Sequence, residues 1–259
     1  MKTDDLITRF FRLSTEMCVE LCYRILNNPQ GGNIIEVRTK CFHTLDAFTH
    51  LIVMLVKHSG SSSAQTGAAS ETTAKLNLLN KVLTIIAGVA NQDQDLRQGE
   101  FQHLPYYRIF ALLFMELVLG PNNLGLTGSV LLQHNQLGMA LTPSQMDPIV
   151  ENVQYQVLNA FCSTLHMLRP SKAPSFTFAW LDFISHRTFL EKCLYSGVSN
   201  PGAPTKGWQM YAQLLIDLLK FEAPFIRNVD LAQSMDILYK VSQISDNKDY
   251  LIIQLIQFN

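Results

Sequence analysis

Apolar residues recur three and four positions apart along most of this chain, and no stretch alternates Val, Ile and Thr between turn residues as a strand would. From Leu6 to Leu26 they fall at Leu6, Ile7, Phe10, Phe11, Leu13, Met17, Cys18, Leu21, Cys22, Ile25 and Leu26, which predicts one long helix with one buried face. Thr3 is a natural N-cap, with Asp4 and Asp5 in the first turn, and Asn27-Asn28-Pro29 and Gly31-Gly32 end the helix. A second helix is predicted from Glu36 to His58, with Val37, Cys41, Leu45, Phe48, Ile52 and Leu55 inward. The polar, pattern-free stretch Ser59–Ser70 is a loop, and a third helix runs from Glu71 to Ala90.

Residues 97–104 connect to a fourth helix, Tyr106–Leu119, with Pro105 in its first turn. This helix is apolar almost all round and belongs at the centre. Gly120–Pro148 is too long for an ordinary connection and is a surface insertion. Further helices follow at Ile149–Leu168, from Ala173 or Pro174 to Tyr195, at Gly207–Phe221 ending before Pro224, and at Leu231–Lys240. The fold class is all-α, with about eight helices in sequential hairpins, and an irregular helical-repeat α-solenoid suits that order better than a four-helix bundle.

Composition narrows the function classes. Hydrophobic residues make up 47% of the 259 and charged ones 16%, which excludes a disordered chain. Lys+Arg 20 against Asp+Glu 21 leaves a net charge of −1, so tight, charge-driven nucleic-acid binding is not expected. The most apolar run, Ile109–Leu119, is interrupted by Glu116 and is far short of the roughly 20 residues a membrane span needs. The acids after Met1 do not suit a secretory signal, and the five scattered cysteines suit a reducing compartment.

No group of residues reads as chemistry. Cys18 and Cys22 with Cys41 and His43 miss the paired spacing of a zinc site, and a free cysteine packs as a small hydrophobe. Asp182, Ser185 and His186 have the residue types of a triad without a nucleophile elbow; Asp182 and His186, four apart on a helix, suit an ion pair. Residues 202–207 have glycines and a lysine in the wrong order for a phosphate loop. His43, His50 and His58 suit a surface or boundary, and Phe176, Phe178, Trp180, Phe183 and Phe189 suit a core. No catalytic residue, metal or cofactor is predicted.

A series of short blocks carries a family resemblance. They are Lys2–Arg12 with Thr15–Glu20, Leu55–Ser59, Leu78–Leu83, Phe101–Tyr106 with Arg108–Phe110, Leu168–Pro174, Ala179–Leu181, Ile184–Arg187, Lys206–Leu218, Ala223–Val229 and Ile237–Lys240. In this order they resemble the C-terminal homology domain of the largest Not subunit, the scaffold of the Ccr–Not deadenylase complex. The resemblance implies a non-enzymatic, HEAT-like platform, with residues 1–240 the N-terminal part of the homology domain and loops at 59–70 and 120–148. It also implies the smaller Not subunits and peptides of RNA-binding repressors as partners. The roles implied are mRNA decay, deadenylation, translational repression and transcription regulation, in the cytoplasm with a nuclear pool. An RNA-contacting helical adaptor is the alternative.

Two expectations remain specific to this sequence. Trp208, Tyr211, Phe225 and Arg227 are the candidate partner-binding residues, because aromatic and arginine anchors near helix ends suit an interface; packing of Trp208 and Phe225 between helices is the competing reading. Residues 241–259 depart from the family pattern, and Val241-Ser242 after Lys240 is encodable as an intron 5′ boundary, so translated intron or an alternative exon is the expected source. Such a tail cannot replace packed helix pairs, which predicts an apolar patch near the last helices, poor solubility and weak docking of the Not heterodimer.

Overall fold

The computed structural model describes residues 3–27, 34–60, 68–119, 148–195 and 206–226. Eight α-helices are present among them: α1 Thr3–Asn27, α2 Ile34–His58, α3 Ala68–Arg97, α4 Leu104–Phe114, α5 Pro148–Met167, α6 Thr177–Ser185, α7 Arg187–Tyr195 and α8 Lys206–Ile226. No strand occurs among the described residues. Each helix of one layer packs on the next in the order α1, α3, α5, α8, while α2, α4 and the α6–α7 pair form a second layer behind them. This is the stacked-hairpin arrangement of an α-solenoid. The predicted helix at Leu231–Lys240, the tail 241–259 and most of the 120–148 insertion lie outside the described residues.

Three predicted boundaries shift. Helix α3 starts at Ala68, inside the predicted loop, and runs to Arg97 rather than Ala90. Its last turns bury polar groups in pairs with α1 and α4, so an apolar period could not reveal them. The predicted single helix up to Tyr195 breaks at His186, whose backbone is extended (φ −62°, ψ 125°). Phe183 and Phe189, six positions apart, would point about 120° apart on a straight helix. The break brings their rings to 5.4 Å in one core. The Asp182–His186 ion pair is therefore not formed; the Asp182 carboxylate instead stands near the Tyr107 phenol and raises its pKa. Helix α8 continues through Pro224 to Ile226, and the exposed Pro224 in its last turn leaves the Lys220 carbonyl without an intrahelical N–H.

Two helix faces also differ from expectation. On α2 the inward series is Cys41, Leu45, Phe48, Ile52 and Val56, while Leu55 is exposed. The apolar residues of α1 divide between two sides. Phe11, Thr15, Cys18, Val19 and Cys22 are buried, whereas Leu6, Phe10, Leu13, Met17 and Leu21 are exposed and lie within about 80° of one another on the opposite side.

Polar groups lock the layers. The Asp93 carboxylate accepts from Tyr23 (2.9 Å), Tyr106 (3.0 Å) and the Arg97 Nε (2.7 Å), joining α1, α3 and α4. Arg97 also donates to Glu20 at 2.6 Å and stacks over the Tyr23 ring at 4.1 Å. Arg108 of α4 makes a two-pronged pair with Asp46 of α2, at 2.6 and 2.7 Å. Gln94 holds the α5–α6 connection, donating to the Lys172 carbonyl and accepting from the Ser175 N–H. Cys22 and Cys41 are buried with each thiol directed at the other's carbonyl, and His43 is exposed.

Replacing Asp93 with Ala strands the Tyr106 hydroxyl and one side of Arg97 and leaves the Tyr23 hydroxyl only the Gln102 backbone, and with Arg97 partly exposed the expected loss is about 2–4 kcal/mol by urea unfolding. Tyr107 gives a pH prediction. Burial and the neighbouring Asp182 carboxylate push its phenol up to about 12. A raised folded-state value favours the neutral form, so its contribution is complete below the ordinary value of about 10 and lost as pH rises toward the folded value. Unfolding followed from pH 9 to 12 (about three units) checks this: wild type should lose stability above pH ~10 by more than Tyr107→Phe does.

Candidate protein-binding surface

Helix α8 is the last helix of the first layer among the described residues, and its seating decides which side chains it exposes. Gly207 starts it against α7; a Cβ at this position would lie 2.1 Å from the Cys193 carbonyl oxygen, so only glycine permits the approach. Tyr211 is buried, donates to the Ile184 carbonyl at 3.3 Å and packs on the Phe189 ring. Leu214, Leu215 and Leu218 complete the inward face. Asp217 is also buried, with His166 Nδ1 of α5 at 2.5 Å from one carboxylate oxygen and Gln213 donating to the other at 3.2 Å. Behind this seam, burial beside Cys162 pushes the Cys193 thiol well up, which keeps that sulfur protonated.

These contacts turn Ile216 and Leu219 outward, Leu219 with 56% of its surface exposed. With Ala212 and Ala223 they form a shallow apolar stripe, small residues at its ends and branched ones at its centre. Trp208 is half-buried at the edge of this stripe, its ring tilted against Tyr211 at 6.4 Å. Phe225 is exposed at the far end of α8, packed on Phe221 at 5.5 Å.

The four sequence candidates are therefore not gathered into one site. Trp208 and Phe225 stand 17 positions apart, about 25 Å along the helix, and on different sides of it. Tyr211 is spent on holding α8 to α6 and α7, and Arg227 lies outside the described residues. Ile216 and Leu219 were not singled out from the sequence. Their signal in the sequence was weak, because Leu219 stands only about 40° around the helix from the buried Leu215, and deciding which group faces inward needs the neighbouring helices. Among the described residues no group of three or more His, Cys, Asp or Glu side chains converges as metal ligands, and no helix is long and apolar enough to cross a membrane.

Residues 141–243 match the family model described as "CCR4-Not complex component, Not1". The chain is 36% identical over 244 residues to "CCR4-NOT transcription complex subunit let-711" of Caenorhabditis elegans, a match covering 93% of this chain and 8% of that protein. It is 25% identical over 201 residues to "General negative regulator of transcription subunit 1" of Saccharomyces cerevisiae, covering 77% of this chain and again 8% of the relative. Two solved structures share the fold at 22% identity. The NOT1 superfamily homology domain from Chaetomium thermophilum gives a TM-score of 0.66, over 95% of this chain and 39% of that one. A Not1 C-terminal domain in complex with Not4 gives 0.57, over 93% and 38%. The chain thus spans less than a tenth of the length of these curated relatives.

Gly207→Ala forces α8 away from α7 and is expected to cost about 1–3 kcal/mol in thermal or urea unfolding. Ala212→Gly, on the outward side, should cost no more than the ~1 kcal/mol of helix propensity.

Proposed function

The chain carries a Not1 C-terminal homology region, and from that premise we propose that it is a non-enzymatic scaffold segment of a Ccr–Not complex. It binds smaller Not subunits and peptides of RNA-binding repressors, and so supports mRNA deadenylation, mRNA decay and translational repression. It works in the cytoplasm, with a nuclear pool acting in transcription. The observation that carries this reading is the sequence match of 93% of this chain to a segment of a CCR4-NOT subunit. The neighbour solved with Not4 makes a smaller Not subunit the partner to test first.

The α8 stripe is the proposed contact for such a subunit. An interface centre needs desolvated apolar or aromatic anchors with a polar rim. Ile216 and Leu219 supply the centre, Trp208 the aromatic edge, and the exposed Gln209 and Lys220 stand beside them. An RNA-contacting role has less support, because cations and acids are balanced across the chain.

A pull-down with the whole chain, read by mass spectrometry, is expected to recover Not and nuclease subunits. Leu219→Glu, on an exposed position, should lower recovery of the smaller Not subunits by about tenfold with an unchanged melting curve. Recovery unaffected by Leu219→Glu removes the α8 contact; recovery of no Ccr–Not subunit removes the scaffold reading. Sub-micromolar binding of single-stranded RNA with a steep salt dependence supports the adaptor instead.

A further inference from the structure

Among the described residues helix α1 stands at the side of the first layer away from α8, and its outward face is apolar. Leu13 and Met17 are 54% and 67% exposed, in line with Leu6, Phe10 and Leu21. The steps between these five residues are four, three, four and four, the rhythm of a helix-to-helix seam rather than of a solvated surface. Beside the seam lies a hollow of about 390 Å³, with Leu13, Met17, Val89 and the protruding Leu96 in its wall and the Glu20–Arg97–Asp93 pairing also lining it. A soluble chain rarely leaves so continuous a stripe uncovered.

We propose that this face is an interface between two copies of the chain, with their α1 helices packed antiparallel about a two-fold axis at the level of Leu13 and Ser14. Three observations specify a second copy as the occupant. The first is that the stripe is its own complement. Running α1 against a reversed α1 about that axis sets Leu6 level with Leu21 of the second copy and Phe10 level with Met17, while Leu13 meets its own counterpart. Phe10 of the second copy then stands opposite the hollow between Met17 and Leu96.

The second is charge. Arg9, Glu16 and Glu20 lie along one edge of the stripe, within about 40° of one another around the helix. A two-fold antiparallel pair brings like edges together. Arg9 consequently falls between the levels of Glu16 and Glu20 of the second copy, an opposite-charge contact made twice. Glu16 already pairs with Arg12, and Glu20 with Arg24 and Arg97, so both carboxylates are held in place.

The third is area. The five side chains are between 42% and 67% exposed, so two copies bury ten half-exposed apolar side chains against each other, together with Leu96 and the polar edge, an area at the low end for a specific interface, as suits a micromolar dimer.

Sedimentation equilibrium of the whole chain from about 1 to about 100 μM tests the pairing. The expected result is a monomer–dimer equilibrium with a micromolar constant. Leu13→Glu sets two carboxylates against each other on the axis and should raise that constant by at least about tenfold without changing the melting curve. Arg9→Glu should weaken the dimer, and Arg9→Glu with Glu16→Arg should restore it. Leu219→Glu on α8 should leave it intact, which separates this test from that of the partner contact. A chain that stays monomeric at the highest concentration overturns the proposal, as does a dimer dispersed by Leu219→Glu but not by Leu13→Glu. A monomer whose capture of a purified smaller Not subunit is lost in Leu13→Glu assigns the face to that subunit and likewise overturns it.

Discussion

The carboxylate of Asp93 stands where α1, α3 and α4 meet, and its two oxygens accept from Tyr23, Tyr106 and Arg97. Burial raises both phenols well above their ordinary range, and the nearby carboxylate raises them further, so both hydroxyls stay protonated and keep donating. The consequence is rotational. Tyr23 must point at Asp93, and Glu20, three residues earlier, must reach Arg97. Arg12 meets Gln92 along the same edge. With that edge fixed against α3, α1 cannot roll, and Leu6, Phe10, Leu13, Met17 and Leu21 are left facing solvent.

A comparable device operates at the other end of the layer. Asp217 is buried on α8 and meets the His166 ring of α5, while Tyr211 reaches the Ile184 carbonyl. Hydrophobic burial alone would be indifferent to modest rolling of a helix with apolar residues on several sides, because the hydrophobic effect is non-directional. Hydrogen bonds to a buried carboxylate are directional and costly to leave unmade. In this stack they select which apolar residues are core and which are surface. The exposed stripes at the two ends of the layer follow from those choices.

Such a layout suits a platform. A stacked-hairpin layer offers long faces without needing a convergent catalytic group, and a solenoid's end helices present apolar surface unless something covers them. The side chains with strongly shifted proton affinities are engaged in holding helices together: Tyr23, Tyr106 and Arg97 around Asp93, Tyr107 against Asp182, and Cys193 beside Cys162. Perturbed titration here accompanies packing rather than a reaction centre.

The sequence by itself determined the all-α class, the approximate helix order and the lack of a recognisable catalytic motif. These rest on local spacing: three-and-four periodicity, prolines in first turns and polar breaks are properties of neighbouring residues. It also carried the family resemblance, through many short blocks in order. Tertiary structure alone decided the rest. Eleven apolar positions on α1 suggest one broad face, and only contact with α2 and α3 divides them into Cys18, Cys22 and their companions inside and Leu13, Met17 and theirs outside. The last turns of α3 show no apolar period because Asp93 and Arg97, both partly buried, are held by ion pairing rather than by apolar packing. The break at His186 depends on Phe183 and Phe189 sharing one core, and the scattering of Trp208, Tyr211 and Phe225 depends on how α7 and α5 seat α8. Spacing along a chain reports which residues share a side of a helix; which side is covered is set by directional bonds to partners tens of residues away.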